Sequence, residues 1–169
     1  MRNLVDIKSL PAATLCLIDA NIFIYHFGAL SAECTDFFAR IARREVEAHI
    51  TTVVIAEVLH RRMVAEALSK GLISTGKPLQ KLKANPDVIK GLTDYVTEIE
   101  KLLKLPIVVH EVTVADITTS HALRTAHGLF VNDSINLACA LHVGINDVVT
   151  HDDDFGRVAT ITTWEPTDI

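Results

Sequence analysis

The chain has 169 residues, of which 49% are hydrophobic and 22% charged, and its formal net charge is −5. This length and composition predict a single domain over residues 1–169, and no apolar run approaches the length of a membrane span. The net negative charge excludes broad binding of nucleic acid through basic residues alone.

The first half of the chain predicts strands alternating with helices. An N-terminal extension over residues 1–14 precedes a first strand at 15–18, and Asn21 can cap the helix that follows at 21–28. Apolar residues at helical spacing predict a second helix at 32–46. The second strand is predicted at 49–53 and is followed by a helix to about residue 68.

The second half continues the alternation after a segment at 69–86, which we predict to be a loop or an insert. Asn85, Pro86 and Asp87 predict a helix start, and Pro106 ends that helix. Further elements are predicted in this order: a strand at 107–109, a helix from the Thr113–Asp116 capping box to Gly128, a helix containing Asp133 that Gly144 ends, a strand at 147–150 and an edge strand at 159–162. Strands alternating with helices predict an α/β fold with a mostly parallel sheet and helices on both faces.

Four acidic residues lie where a predicted strand or loop meets a helix or turn. They are Asp19, Glu57, Asp133 and Asp152, and they account for four of the five net negative charges. Because the strand ends of an open α/β sheet meet in one crevice, we expect these carboxylates to lie close together and to raise each other's pKa. A hard cation relieves that repulsion, so the sequence predicts a site for one or two Mg²⁺ or Mn²⁺ ions.

Each acid also has an ordinary explanation when it is taken alone. Asp19 could cap a helix, Glu57 could be solvated, and Asp133 could be only an N-terminal helix residue. Asp152 could be a turn former, as could the neighbouring acids. We predict that Asp152 rather than Asp154 is a direct ligand.

Other polar residues near these acids are candidates for supporting roles. Thr150 precedes Asp152 by two residues and should point to the same side of an extended chain, although it could be an ordinary strand threonine. Arg61 lies four residues after Glu57 on the same side of a helix and is a candidate phosphate contact. His151, by contrast, should face away from Asp152.

Four segments together resemble the PIN-domain nucleases and, among these, the VapC-like toxin ribonucleases. The segments are D-A-N-I-F-I-Y at 19–25, V-V-I-A-E-V at 53–58, N-D-S-I-N-L-A-C-A-L at 132–141 and T-H-D-D-D-F at 150–155. The resemblance implies a three-layer sandwich and a metal-dependent endoribonuclease whose metal is held by Asp19, Glu57, Asp133 and Asp152. It also implies that Asp154 assists, that Asn21 supports the site by hydrogen bonding, and that the protein is a homodimer with an antitoxin partner.

Two other functions stay open at this stage. A HAD-like phosphatase also places an aspartate after its first strand, but it needs a second aspartate where this chain has Asn21, which cannot exchange a proton in the same way. A non-catalytic PIN-like module that binds RNA or protein would have no use for four repelling carboxylates.

The cysteines and one apolar helix face give two further expectations. Cys16, Cys34 and Cys139 are odd in number and lack metal-ligand spacing, which favours reduced thiols and a cytoplasmic location. There is no basic start followed by an apolar segment, so we expect no signal peptide. For the homodimer, the sequence offers one candidate surface, formed by Phe37, Phe38 and Ile41, although these residues could instead belong to the core.

Overall fold

The computed structural model describes residues 4–169, within which six strands form one sheet. The order across the sheet is β1-β6-β5-β2-β3-β4, and all neighbouring strands are parallel, as predicted. The strands are β1 (Leu4–Asp6), β2 (Leu15–Ile18), β3 (Glu47–Thr51), β4 (Ile107–His110), β5 (Asp147–Val149) and β6 (Thr162–Glu165).

Helices connect the strands, because parallel neighbours require a crossover connection. The α-helices are α1 (Ala20–Phe27), α2 (Ala32–Ala42), α3 (Thr52–Ser69), α4 (Pro78–Ala84), α5 (Pro86–Lys90), α6 (Asp94–Leu102), α7 (Val114–His127) and α8 (Val131–His142). Two short 3₁₀ helices lie at Ile7–Ser9, after β1, and at Asp153–Arg157, after β5.

The central strands carry apolar side chains on both faces, since successive strand residues point to opposite sides. Ile18 and Ile50 face one core, which includes buried residues of α1, α2 and α6. Leu17 and Val148 face a second core, where they pack with Leu137 of α8. The sheet therefore lies between two helical layers, which confirms the predicted α/β sandwich.

Both ends of the chain add strands beside the central part of the sheet. The predicted extension at 1–14 contains β1 and a 3₁₀ turn, while its residues 1–3 lie outside the described part of the chain. The last strand begins at Thr162, three residues later than predicted. Its prediction as an edge strand is wrong, because β1 pairs with its outer side.

Two predicted helices are shorter than their apolar patterns indicated. The helix predicted at 32–46 ends at Ala42, and Arg44 has a left-handed φ of 58° that turns the chain into β3. The helix predicted from Asn85 onward is interrupted after Lys90, so that α5 and α6 are separate. Leu92, between them, is buried in a small core with residues of α3 and α4.

The segment at 69–86 contains α4, whose Leu82 packs in that small core with Ile73. Nearby, Glu66 of α3 has a side chain only 4% exposed. Its carboxylate accepts hydrogen bonds from the backbone amides of Thr93 and Tyr95 at 3.0 Å and from Lys70 Nζ at 2.6 Å. Glu66 therefore caps the amino end of α6, for which Thr93 provides no side-chain cap.

Replacing Glu66 by Gln should destabilise the protein by about 2 kcal/mol at pH 7, because buried hydrogen bonds to a charged group are lost. Burial alone would raise the pKa of Glu66, but the bonds from Lys70 and the backbone amides outweigh it and lower the pKa to about 2. A lowered folded-state pKa means that the ionised side chain stabilises the protein fully above about pH 4.5, and that this contribution disappears as the pH falls toward 2. Urea unfolding of both proteins from pH 7 to pH 3 measures the difference.

The control for this prediction is Glu100→Gln, on the exposed side of the same helix α6. It should leave the free energy of unfolding nearly unchanged. Equal stabilities of the Glu66→Gln variant and the wild type at pH 7 would contradict the role of Glu66 as a cap.

Candidate functional site

Two of the acidic residues follow two neighbouring strands at the centre of the sheet, β2 and β5. In the sheet register, Ile18 of β2 lies beside Val149 of β5, and Leu17 lies beside His49 of β3. Asp19 directly follows β2, while Asp152 follows β5 by three residues. Since parallel strands end at the same edge of the sheet, the chain brings these carboxylates to one place.

Asp19 is held rigidly at the base of this place. It is 7% exposed and caps α1, where its Oδ1 accepts a hydrogen bond from the amide of Ala20 at 2.7 Å. Its Oδ2 accepts a hydrogen bond from Thr150 Oγ1 at 2.8 Å, and Asn21 Nδ2 donates to that hydroxyl at 3.3 Å. Thr150 and Asn21 thus lie where the sequence predicted supporting residues.

The acidic turn after β5 presents its three aspartates differently. The amide of Asp152 donates to Thr150 Oγ1 at 3.0 Å, and Asp152 Oδ1 accepts from the amide of Asp154 at 2.8 Å. Asp154 forms an ion pair with Arg157 at 2.6 Å, while Asp153 is exposed. Of the three, Asp152 is therefore the one tied to Thr150 and, through it, to Asp19.

Glu57 and Asp133 reach the same edge from two helices. Glu57 lies in the second turn of α3, where Asn132 Nδ2 donates to its Oε2 at 3.3 Å. Arg61 Nη1 lies 3.6 Å from Glu57 Oε1 and its side chain is 41% exposed, so the predicted phosphate contact also neutralises this acid. Asp133 lies in the first turn of α8, at the positive end of the helix dipole.

Between these two helices the surface has an open cleft of about 400 Å³. The sequence analysis did not identify Phe130 and Val131, which also line this cleft. Their position at the start of the helix that carries Asp133 was the signal that could have indicated them. Phe130 in particular is 74% exposed beside the acids. The cleft is lined by Glu57, Phe130, Val131, Asn132, Asp133 and Asp152.

The acids influence each other's protonation, as the sequence predicted. Burial raises the pKa of Asp19 to about 6, and the charges of Glu57 and Asp152 add to the rise against the hydrogen bonds from Thr150 and Ala20. Burial also raises the pKa of Asp133 to about 7, followed by the charges of Asp19, Asp152 and Glu57. Burial and neighbouring negative charges therefore disfavour the ionised forms of Asp19 and Asp133.

The donor set has the chemistry of a magnesium or manganese site, since it consists of carboxylate oxygens that repel each other. Among the described residues, however, no three acidic, histidine or cysteine side chains converge closely enough to hold an ion together. Glu57 instead contacts Asn132 and Arg61. Ligation by the whole set therefore requires these side chains to draw inward around the cation.

His151, which precedes Asp152, contacts three residues near the acidic site. The backbone amide of His151 donates to Asn21 Oδ1 at 3.4 Å, while its ring packs edge-on against Tyr25 with centroids 5.8 Å apart. His151 Nδ1 lies 3.7 Å from a Glu165 oxygen on β6. The His151 ring thus points toward Tyr25 and Glu165.

Comparison with known proteins gives a family and a fold. The model of the family described as the PIN domain matches residues 16–161. None of the curated proteins matches the sequence significantly. Within residues 4–169, none of the helices combines the length and the apolar character that a membrane crossing requires.

Three similar solved structures each cover about nine tenths of this chain. VapBC2 from Rickettsia felis, bound to a DNA fragment from its promoter, has a TM-score of 0.59 at 16% identity, over 90% of this chain and 98% of that chain. A toxin–antitoxin complex from Klebsiella pneumoniae has a TM-score of 0.54 at 19% identity, over 91% and 98% of the two chains. VapBC-1 from nontypeable Haemophilus influenzae has a TM-score of 0.54 at 14% identity, over 90% and 98%.

Proposed function

Because this chain belongs to the PIN domain family of nucleases, we propose that it is a Mg²⁺- or Mn²⁺-dependent endoribonuclease and the toxin of a toxin–antitoxin pair. One observation carries the proposal. Glu57, Asp133 and Asp152 line one cleft, and the buried Asp19 is tied to Asp152 through Thr150. Burial, together with the charges of the neighbouring acids, raises the pKa values of Asp19 and Asp133. The toxin assignment is supported by the fold shared with solved toxin–antitoxin complexes.

The four carboxylates are the residues that would hold the cation. A bound divalent cation makes water a better nucleophile and offsets the charge that builds on the phosphate oxygens. Asp19 is kept in place by Thr150 and the start of α1, while Asp152 is kept by its own turn. The side chain of Arg61 is 41% exposed, so its guanidinium can contact the RNA backbone once it is released from Glu57.

Phe130 gives the cleft a feature suited to unpaired nucleotides. Its ring is largely exposed next to Asp133 and the amide of Asn132. Aromatic faces of this kind stack on bases that are splayed out of single-stranded loops. The structure therefore favours a substrate whose bases are unpaired near the scissile phosphate.

The surroundings of Asn21 disfavour the phosphatase alternative. Both functional groups of its amide are used, since Nδ2 donates to Thr150 and Oδ1 accepts from the amide of His151. An amide engaged in this way cannot act as the acid that such a phosphatase needs two residues after its nucleophile. Asn21 instead supports Thr150, which orients Asp19.

The direct test incubates the purified protein with a long RNA and with single-stranded DNA of the same sequence. We expect RNA cleavage with Mg²⁺ or Mn²⁺ and none with a chelator. RNA that stays intact with both metals, in a protein that is well folded by circular dichroism, would contradict the proposed activity.

We propose a homodimer as well, but through a different surface from the one the sequence indicated. Phe37, Phe38 and Ile41 are 2%, 4% and 0% exposed and belong to the core, so that candidate surface is wrong. Val114 and Ile117 lie one turn apart on α7 and are 79% and 47% exposed. Exposed apolar side chains on one side of a helix suit contact with a second copy of this chain.

Sedimentation at micromolar concentration should show a dimer for the wild type, and the Val114→Asp, Ile117→Asp double variant should sediment as a monomer, because two charges would be buried in the interface. The matched control is Leu103→Asp, which replaces an apolar residue, 51% exposed, beyond the end of α6. A wild type that is monomeric would defeat the dimer proposal, and a double variant that stays dimeric would move the interface elsewhere.

The antitoxin and the cytoplasmic location remain parts of the same proposal. An antitoxin would have to cover the cleft or displace its acids in order to block cleavage. Three buried cysteines, all unpaired within the described residues, are compatible with a reducing compartment.

A further inference from the structure

A buried hydrogen bond joins the two helical elements that carry Glu57 and Asp133. We propose that the pair of residues that form it, Thr51 and Asn136, are positioning residues that set the spacing of these two acids and thereby the affinity of the site for its cation. The inference rests on the proposed function and adds to it two residues that touch neither cation nor substrate.

The contact is short and fully enclosed. Thr51 Oγ1 donates to Asn136 Oδ1 at 2.6 Å, and the two residues are 0% and 1% exposed. Thr51 is the last residue of β3 and also caps α3, because its Oγ1 accepts a hydrogen bond from the amide of Val54 at 3.1 Å. One hydroxyl therefore ties the end of β3, the start of α3 and the middle of α8 together.

The position of this contact in the fold places it directly behind the acids. Extending the β2–β3 register from Leu17 and His49 by two residues brings Asp19 level with Thr51. Asn136 follows Asp133 by three residues and lies on the same side of α8. The Thr51–Asn136 bond thus lies one helical turn deeper than Asp133, on the side of α8 that faces the sheet.

A second contact links the same helices nearer to the surface. Asn132 Nδ2 donates to Glu57 Oε2 at 3.3 Å, but both residues belong to the open cleft. The hydrogen bond between Asn132 and Glu57 must break or lengthen if Glu57 turns toward a cation. The buried Thr51–Asn136 bond can persist through this change, so it provides a fixed reference for the distance between α3 and α8.

Stability alone does not account for a polar pair at this depth. Within residues 4–169, Asn136 Nδ2 has no hydrogen-bond partner although it is buried. A buried donor without a partner costs free energy, and an apolar residue at position 136 would not carry that cost. Retaining the pair at a cost in stability is the pattern expected where the geometry of a functional site depends on it.

Four variants test the inference. Thr51→Val removes the hydroxyl with little change in shape, Thr51→Ser retains it, and Asn136→Leu removes the acceptor together with the unpartnered donor. The matched control is Ser31→Ala, since Ser31 is also a buried helix cap that accepts from a backbone amide, that of Cys34, and donates to a side chain, Asp168. Helix α2, which Ser31 caps, carries none of the four acids.

The measurements are Mn²⁺ titration by calorimetry, RNA cleavage with kcat and KM separated, and thermal unfolding in chelator. We expect Thr51→Val and Asn136→Leu to weaken Mn²⁺ binding about tenfold or more and to lower kcat with KM for RNA nearly unchanged, because outer-shell residues act on metal affinity to this extent. Thr51→Ser should restore both. Asn136→Leu should change the melting temperature little, because it removes the unpartnered Nδ2 but leaves the Thr51 hydroxyl without its acceptor. Ser31→Ala should lower the melting temperature without changing the Mn²⁺ affinity.

Three results would overturn the inference. Wild-type Mn²⁺ affinity in both Thr51→Val and Asn136→Leu would show that the bond does not position the acids. If Ser31→Ala also lost Mn²⁺ affinity, as Thr51→Val and Asn136→Leu are expected to, the loss would reflect lower stability in general and not the position of the acids. A wild type that neither binds Mn²⁺ nor cleaves RNA would contradict the proposed function, and this inference would fail with it. The first two results would contradict the inference alone and leave the proposed function standing.

Discussion

Replacing Asp133 by Asn is expected to reduce metal-dependent RNA cleavage by at least about a hundredfold while the protein stays folded. The change is nearly isosteric and deletes one ligand charge without opening a cavity. Losing about 3 kcal/mol of transition-state stabilisation corresponds to a loss of about two factors of ten in rate. Burial and four neighbouring acids disfavour ionised Asp133, so the neutral amide should not destabilise the chain.

The measurement is the rate of cleavage of a long RNA with Mg²⁺ and with Mn²⁺, beside circular dichroism of each protein. Asp19→Asn should behave in the same way, because Asp19 lies at the base of the same site. The control is Asp87→Asn, which changes another acid in the first turn of a helix, with a side chain 90% exposed. Cleavage at the wild-type rate by a well-folded Asp133→Asn protein would overturn the assignment of the site.

Divalent metal is expected to stabilise the wild type by about 2.7 kcal/mol when Mn²⁺ is present at about a hundredfold excess over its dissociation constant. A cation held by the four carboxylates would bind the folded protein and not the unfolded chain. For a chain of this length the melting temperature should rise by about 5–10 °C. The Asp152→Asn variant should gain much less from Mn²⁺, although in chelator it should melt at or above the wild type, since part of the repulsion is relieved.

Thermal unfolding in chelator and in Mn²⁺ separates the two effects. Asp153→Asn is the matched control, because Asp153 lies on the same turn as Asp152 but is exposed, and it should retain the full gain from Mn²⁺. If Mn²⁺ raises the melting temperatures of wild type and Asp152→Asn equally, Asp152 is not a ligand. The last acid must then be sought at Asp154 or Asp153.

Much of the secondary structure could be predicted because its signals are local. The Thr113–Asp116 capping box is present, and the helix it begins ends at Gly128, which adopts a left-handed φ of 68°. The predictions that failed depended on packing between distant segments. Nothing near Thr162 in the sequence indicates that β1 will pair with the outer side of β6.

The burial of apolar helix faces shows the same limit. The spacing of Phe37, Phe38 and Ile41 correctly predicted a helix with one apolar side, but a spacing of this kind is equally compatible with a core and with a dimer surface. The structure assigns these residues to the core beside Phe23, whose ring lies 4.9 Å from that of Phe38. It leaves Val114 and Ile117 exposed instead, although α7 has an unremarkable sequence pattern.

The sequence by itself determined the order of strands and helices and the positions of Asp19 and Asp152 after apolar strands. Parallel strands end at one edge of a sheet, so these acids had to meet wherever the strands became neighbours. Only the tertiary structure decided that Glu57 contacts Asn132, that Phe130 is exposed at the cleft, and that Thr51 meets Asn136 beneath it. Those contacts join residues up to 85 positions apart, and hydrogen bonds over such separations depend on how the layers pack rather than on any local pattern.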